Sequence, residues 1–391
     1  LPNTRVSYSR GCQKKKICYN YKKVVVSLIA IQIPIASNIN FFLNKTNAGG
    51  SNMTTNLSDR LLKRGKEFLN VKYPIICGAM TWVSDPTLVA AVANAGGFGC
   101  LAGGNTPPDI LAQQIIDTRK LTDNPFAVNI ITIAPAYSDH LKLVTELKLP
   151  YVIFAGGFPN KKEISMVKET GAKVICFAST DTIAHRMYRY GADAIILEGM
   201  EAGGHVGHVS LMVLLQQVLF EVGELPIFVG GGLATGKMCA HMFMMGASGV
   251  QLGTRFAMAE ESCAHPDFKQ KFINANARDA TSTPQFDSRL PVVSVRALRN
   301  KGLEGFGRLQ LELIDKLDKG LISRNEAQHK VEEFWMGSLR NAVIDGDIDH
   351  GSLMAGQSVG LIKKHETVPD IMRELTEEME QEFQNTKKLL A

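Results

Sequence analysis

The chain has 391 residues, 45% of them hydrophobic and 21% charged, with a formal net charge of +5. That suits a large globular fold with ample core, in one domain or two. The charge is mild and no basic stripe is interleaved with aromatics, which argues against a nucleic-acid partner.

Residues 1–52 differ from the rest of the chain. Lys14, Lys15, Lys16, Lys22 and Lys23 precede a 13-residue apolar run, Val24 to Ala36. A basic segment before such a run is like a signal peptide, and it is too short for a membrane span, so no membrane partner is expected. The first methionine, Met53, opens MTTNLSDRLLKRGKEFL, which reads as a capped amphipathic helix. The expectation is that residues 1–52 are an extension outside the fold, with an export signal as the alternative. The seven cysteines (Cys12, Cys18, Cys77, Cys100, Cys176, Cys239, Cys263) are odd in number and form no CxxC. That fits reduced, buried thiols and a cytoplasmic setting.

From Tyr73 the pattern is regular. Apolar runs are expected as strands at Pro74–Gly78, Gly99–Ala102, Phe126–Ile131, Tyr151–Ala155, Lys173–Phe177, Ala194–Leu197, Pro226–Val229 and Ser248–Leu252. Helices are expected between them at roughly 86–95, 108–119, 138–148, 160–170, 180–190, 211–222 and 235–245. Runs apolar on both faces suit a parallel sheet buried on both sides. Eight evenly spaced βα units argue for an α/β fold, a (β/α)8 TIM barrel over residues 53–261, with a doubly wound sheet as the alternative. After Glu261 the rhythm stops. Residues 262–391 are expected to supply the last barrel helix, a helical lid subdomain and a C-terminal helix, with helices at Ala327–Asn341 and Val368–Leu390. A GxGxxA match at Gly97, Gly99 and Ala102 opens a strand and so fails the context of a dinucleotide turn.

Pro226 to Glu261 organises the chain. Its two strands each end in glycines: Gly230, Gly231 and Gly232 after one, Gly253 and then Thr254 after the other. Thr235 can cap the helix between them. Paired glycine turns at the ends of strands 7 and 8 make a phosphate site in such a barrel. The other strand ends are apolar and poor in ionisable groups. They hold no carboxylate pair for glycoside hydrolysis, no nucleophile elbow and no Schiff-base lysine. A phosphate site beside so much bare backbone suits a large flat cofactor whose ring does the chemistry, and FMN fits. The residues expected to meet it are Gly78, Ala79, Met80, Asn129, Glu198, Gly203, Gly204, Gly230, Gly231, Gly232, Gln251, Gly253 and Thr254.

His205 is the titratable group placed for acid–base work after strand 6, and imidazole can take or give a proton near neutrality. Glu198 or Glu201 could orient it. His208 reads as a polar loop residue, and with no third ligand at suitable spacing no metal is expected. A late loop, DGDIDHGSLMAGQSVG (345–360), is glycine-rich and apolar at Leu353 and Met354. It is either a surface turn or a segment folded over the barrel mouth.

Several segments carry a resemblance: PIICGAM (74–80), AVANAGGFGCLAGGN (91–105), FAVNI (126–130), EGMEAGGHVG (198–207) and PIFVGGGLATG with MGASGVQLGTRF (226–256). Together they resemble the 2-nitropropane dioxygenase family, which includes nitronate monooxygenases and FMN-dependent enoyl-ACP reductases of type II. The resemblance spans about residues 68–365. It implies non-covalent FMN, cofactor contacts from Met80, Asn129, Gly231, Gly232, Gln251, Gly253 and Thr254, and an active-site role for His205. The late loop with Met354 resembles the segment that closes over the flavin in the enoyl reductases. Cys77 and Ala79 depart from the family's PIxQGGM. The first functional reading is a nitronate monooxygenase using O2. The second is an NAD(P)H-dependent enoyl thioester reductase acting on acyl carrier protein. The third is a non-enzymatic flavin-binding protein. The substrate is a small molecule in both enzyme readings, and the oligomeric state is open, a homodimer being one arrangement.

Overall fold

Residues 56–390 are described by the computed structural model, apart from 105, 223–224, 291 and 293. The readings of residues 1–52 and of Met53, and the last residue of the 91–105 segment, fall outside the described residues. The first helix, α1 (Leu57–Leu69), turns Leu62, Gly65 and Leu69 inward. Leu69 is fully buried among barrel-lining side chains, and the ring of Phe68 lies 5.8 Å from that of Phe228 and 6.3 Å from that of Tyr151. The Tyr151 hydroxyl donates to the Phe68 carbonyl at 2.9 Å, so α1 closes the floor of the barrel.

Above it run β1 (Ile75–Cys77), α2 (Pro86–Asn94), β2 (Gly99–Ala102), α3 (Pro108–Leu121), β3 (Phe126–Ile131), α4 (Tyr137–Glu146), β4 (Tyr151–Ala155), α5 (Lys161–Lys168), β5 (Lys173–Ala178), α6 (Asp181–Tyr190) and β6 (Ala194–Glu198). Then come β7 (Gly204–His205), α7 (Leu211–Leu214), β8 (Ile227–Gly230), α8 (Gly236–Met244) and β9 (Gly249–Leu252). All strands but β7 form one parallel sheet in the order β1-β9-β8-β6-β5-β4-β3-β2. A parallel bridge between Ile76 and Phe98 joins its two ends, with Cys77 N–H donating to Phe98 O and Phe98 N–H to Ile75 O, both at 2.9 Å. The sheet is thus a (β/α)8 barrel. Its interior is packed with Ile76, Phe98, Cys100, Tyr151, Ile153, Ile175, Ile196 and Phe228. Caps set the helix starts: Asp85 accepts from Leu88 N–H, Asn160 and Glu163 form a capping box, and Thr235 accepts from Met238 N–H.

Past β9 come α9 (Thr254–Ala257), α10 (Pro266–Asn274), β10 (Ala280–Ser282), β11 (Val295–Leu298), α11 (Lys301–Asp318), α12 (Arg324–Val343) and α13 (Val368–Leu390). The last of these packs on α8 and α2, in the slot of the eighth barrel helix. Glu378 of α13 accepts from Gly236 N–H at 2.7 Å and Glu382 lies 3.0 Å from His241 Nε2. Between α9 and α13 the chain forms a cap with its own core of Leu290, Val295, Phe306, Leu313, Val331 and Trp335.

Two local expectations are corrected. The helix expected over 211–222 is one α-turn followed by a π-helical turn, Leu215–Leu219. The region after Glu261 is not purely helical, because β10, β11 and β7 form an antiparallel sheet. No helix among the described residues is long and apolar enough to cross a membrane.

Candidate active site

The C-terminal ends of the strands open into a cavity of about 880 Å³. Part of its wall is made of small residues, among them Ala79, Ala155, Gly156, Ala178, Gly204 and Gly253. Of the expected site residues, Ala79, Met80, Asn129, Glu198, Gly203, Gly204, His205, Gly253, Thr254 and Met354 line it together. Gly78, Gly230 and Gln251 are not on its wall and cluster together: a Cβ at Gly78 would sit 3.2 Å from Gln251 Cδ, and one at Gly230 would sit 3.3 Å from Gln251 Cβ. Gly231 and Gly232 do have positive φ, 103° and 75°, but a Cβ on them would meet Gly199 O at 2.9 Å and Glu201 Cβ at 3.2 Å. Packing against the loop after β6 therefore already requires these two glycines. Gly253 differs, since a Cβ there would meet only Met80 Sδ, at 3.7 Å, and would otherwise occupy cavity space. The N-terminus of α8, which the sequence offers to an anion, is taken by the Glu378 carboxylate.

The first turn is fixed by Ser84, whose hydroxyl donates to Gly78 O at 3.1 Å and accepts from Met80 N–H at 2.9 Å. Asn129 is buried and its amide Nδ2 donates to Ile153 O at 3.2 Å, which leaves Oδ1 for the cavity side. Glu198 ends β6, paired with Gly230. Burial pushes its carboxyl up to about 8, so near neutrality it is largely protonated.

His205 sits on β7, opposite Val295 of β11. Gly204 before it has φ 74°, which turns the chain onto that strand. Neither Glu198 nor Glu201 orients the ring. The Glu201 carboxylate accepts from Leu211 N–H at 3.0 Å, and the carboxylate near His205 is Glu332 of α12, 3.6 Å from Nε2. His208 is exposed and off the cavity wall. No His, Cys, Asp and Glu grouping among the described residues could hold a metal ion.

The late loop folds over the mouth. Gly356 N–H donates to Thr254 Oγ1 at 3.0 Å, Gln357 N–H to Glu201 O at 2.9 Å, and Leu298 N–H to Leu353 O at 2.9 Å. Met354 thereby packs on both the barrel core and the cap core while facing the cavity. A Cβ at Gly203 would lie 2.5 Å from the Ala355 carbonyl carbon, so only glycine lets the two loops meet. The far wall, above β3 to β5, was not anticipated. Ile133 and Phe158 form its partly exposed rim, and Tyr137 and Thr132 stand below them. Burial, reinforced by the Glu163 carboxylate, pushes the Tyr137 phenol well up.

Known proteins resemble this chain in sequence and fold. A nitronate monooxygenase family model matches residues 63–142 and 131–378. The chain is 30% identical over 321 residues to the (3aS,4S,5R,7aS)-5-hydroxy-7a-methyl-1-oxo-octahydro-1H-indene-4-carboxyl-CoA dehydrogenase of Mycobacterium tuberculosis, covering 76% of this chain and 90% of that protein. It is 26% identical to a probable nitronate monooxygenase of Staphylococcus aureus, over 76% of this chain and 92% of the other. The solved structure of FabK from Thermotoga maritima superposes with a TM-score of 0.74 at 37% identity, covering 83% of this chain and 98% of FabK. A nitroalkane oxidase from Streptomyces ansochromogenes superposes at 0.68 with 25% identity, over 82% and 98%. Members of this group are oxidoreductases that act on small molecules and depend on flavin in general. With its barrel, its cap and most of its length matched, the chain belongs to the nitronate monooxygenase family.

Proposed function

We propose that the protein is an FMN-dependent oxidoreductase that reduces an α,β-unsaturated acyl thioester at the expense of NAD(P)H. The supporting observation is the seating of Ser352–Gln357 across the mouth, tied to Thr254 on one side and to the Glu201 segment on the other. That segment is the one whose sequence resembles the late loop of the enoyl reductases. The relatives lean the same way: FabK, an enoyl-ACP reductase II, is 37% identical, against 26% and 25% for the probable nitronate monooxygenase and the nitroalkane oxidase. The M. tuberculosis relative is also named for a thioester, a carboxyl-CoA. This reverses the order of the two enzyme readings that the sequence suggests.

The residues present fit FMN. Glycine and alanine walls admit a flat ring, the Asn129 amide oxygen can meet its polar edge, and Gly253 leaves space where a side chain would intrude. Bound FMN supplies two-electron transfer between NAD(P)H and the substrate. His205 holds the proton that the α-carbon of the substrate gains. Met354 and Leu339 exclude water from the mouth. Ile131, Ile133, Phe158 and Phe177 offer an apolar wall to an acyl chain.

Anaerobic mixing tests the reading. NADH or NADPH should bleach the visible flavin band rapidly, and a crotonyl thioester should restore it with saturated product. Slow bleaching by both nucleotides, with rapid bleaching by a preformed alkyl nitronate, would replace this reading by the nitronate monooxygenase. That second reading is favoured by the probable nitronate monooxygenase relatives. Inertness to all three would leave a flavin-binding protein without catalysis.

A further inference from the structure

The ring of His205 faces a carboxylate from outside the barrel. Its Nε2 is buried and has no hydrogen-bond partner among the described residues. The one carboxylate within 4 Å of a ring nitrogen, among those residues, is Glu332, whose Oε2 lies 3.6 Å from Nε2. Glu332 is itself largely shielded, with its side chain 24% exposed. Two helical turns further along α12, Leu339 reaches the cavity wall, so one face of this cap helix looks onto the site. The other charged groups nearby are committed elsewhere. Glu201 caps the start of α7, and Arg296 on β11 donates to Met200 O at 3.0 Å and Ala280 O at 2.7 Å. Glu198 shares the cavity wall without coming within 4 Å of the ring nitrogens.

Neutral imidazole carries one N–H donor and one acceptor nitrogen. An ionised carboxylate only accepts, so beside Glu332 the favoured tautomer has its hydrogen on Nε2. A buried N–H left without any acceptor is costly, and closing the gap by less than an ångström would relieve it. Nδ1 is then the nitrogen with a free lone pair.

We propose that Glu332 is a positioning residue for His205: it holds the imidazole proton on Nε2 and so assigns Nδ1 to proton exchange with the substrate. The inference rests on His205 being the acid–base group of the proposed reaction. The balance is simple. The substrate α-carbon takes the Nδ1 proton of the imidazolium, the ring returns to its neutral Nε2–H form, and solvent later reprotonates Nδ1. The Nε2 hydrogen does not move.

The test uses the full, flavin-loaded chain labelled with 15N-histidine. The chain has nine histidines, so the His205 signals are assigned by their loss in His205→Asn. In the wild type the neutral ring should show the Nε2–H tautomer, and in Glu332→Ala this preference should be lost. Glu332→Gln, which can still accept a hydrogen bond, should fall between. Glu332→Ala should lower kcat about tenfold, a share of the roughly 10²–10⁴-fold typical of an acid–base group, with KM little changed. In a His205→Ala background the same substitution should cost nothing further. An equal cost in both backgrounds, or an unchanged tautomer in Glu332→Ala, would overturn the proposal. Because the tautomer is read without turnover, failure of the thioester reading would leave this measurement decisive.

Discussion

His205 is the histidine on the cavity wall among the described residues, and its replacement is the most direct probe of chemistry. His205→Ala should lower kcat by about 10²–10⁴-fold while flavin content, read from the visible spectrum, stays near wild type. His208→Ala, at an exposed position off the wall, should be close to wild type. A silent His205→Ala beside a severe His208→Ala would mean that the loop after β6 has been assigned the wrong working residue. Glu198 makes a pH prediction. Its carboxyl is raised from 4.5 to about 8, so its contribution to stability is full below about pH 4.5 and is lost as pH rises towards 8. At roughly 1.36 kcal/mol per unit, the loss reaches a few kcal/mol at most. Glu198→Gln should remove it. In denaturant titrations of flavin-free protein, the variant should match the wild type in mild acid and gain on it steadily towards alkaline pH. Parallel pH curves would discard the account. Gly253→Leu puts a side chain into free cavity rather than into packed backbone, so it should fold with a near-normal Tm yet purify without flavin. Full flavin occupancy in that variant would move the cofactor away from this turn.

Between elements, a buried charge cluster joins α9 to the start of α13. Arg255 and Glu366 are 5% and 8% exposed at the side chain and meet at 2.6 Å, with Glu374 at 3.2 Å from the same guanidinium. Removing one partner of such a pair leaves an uncompensated buried charge, so Arg255→Met should cost about 3 kcal/mol in chemical denaturation. This is the low end of the usual range, because Lys364 still contacts Glu366 at 2.8 Å. The double variant Arg255→Met with Glu366→Leu should recover much of the loss. A double variant as unstable as the single one would show that shape rather than charge governs this joint. The barrel strands were legible in the sequence because each is a short run apolar on both faces, and their bounds differ from expectation by only a residue or two. The cap was legible only in part. Lys301–Asp318 is helical despite Gly302, Gly305 and Gly307, which lower local propensity; Gly302 is there because His350 O would lie 2.2 Å from any Cβ. The strands β7, β10 and β11 have two to four residues each, too few for a period-two pattern to register. Glu332 had no local signal at all, since it reaches His205 only through the folding of the cap.

At the scale of the whole molecule, α13 is the piece that completes the barrel. It buries Ile371, Met372, Leu375, Met379 and Phe383, and it supplies the carboxylate that caps α8. Deleting residues 368–391 should therefore yield aggregated protein or a species without a cooperative thermal transition. Removing only the final Leu389 to Ala391 should be harmless, because Leu389 and Leu390 are 87% and 83% exposed. A soluble, cooperatively folding chain ending before Val368 would refute this reading of the eighth slot. The position of α13 also bears on how the protein is made. A ribosome delivers the chain from its N-terminus, and upstream segments begin to fold as they emerge. The floor helix, all eight strands, the histidine loop and the cap are therefore in the open while the closing helix is still inside the exit tunnel. The apolar seam between α2 and α8 stays uncovered until α13 has emerged. Completion of the barrel thus waits on a segment made long after the strands it covers, and during that interval the nascent chain is most dependent on chaperones.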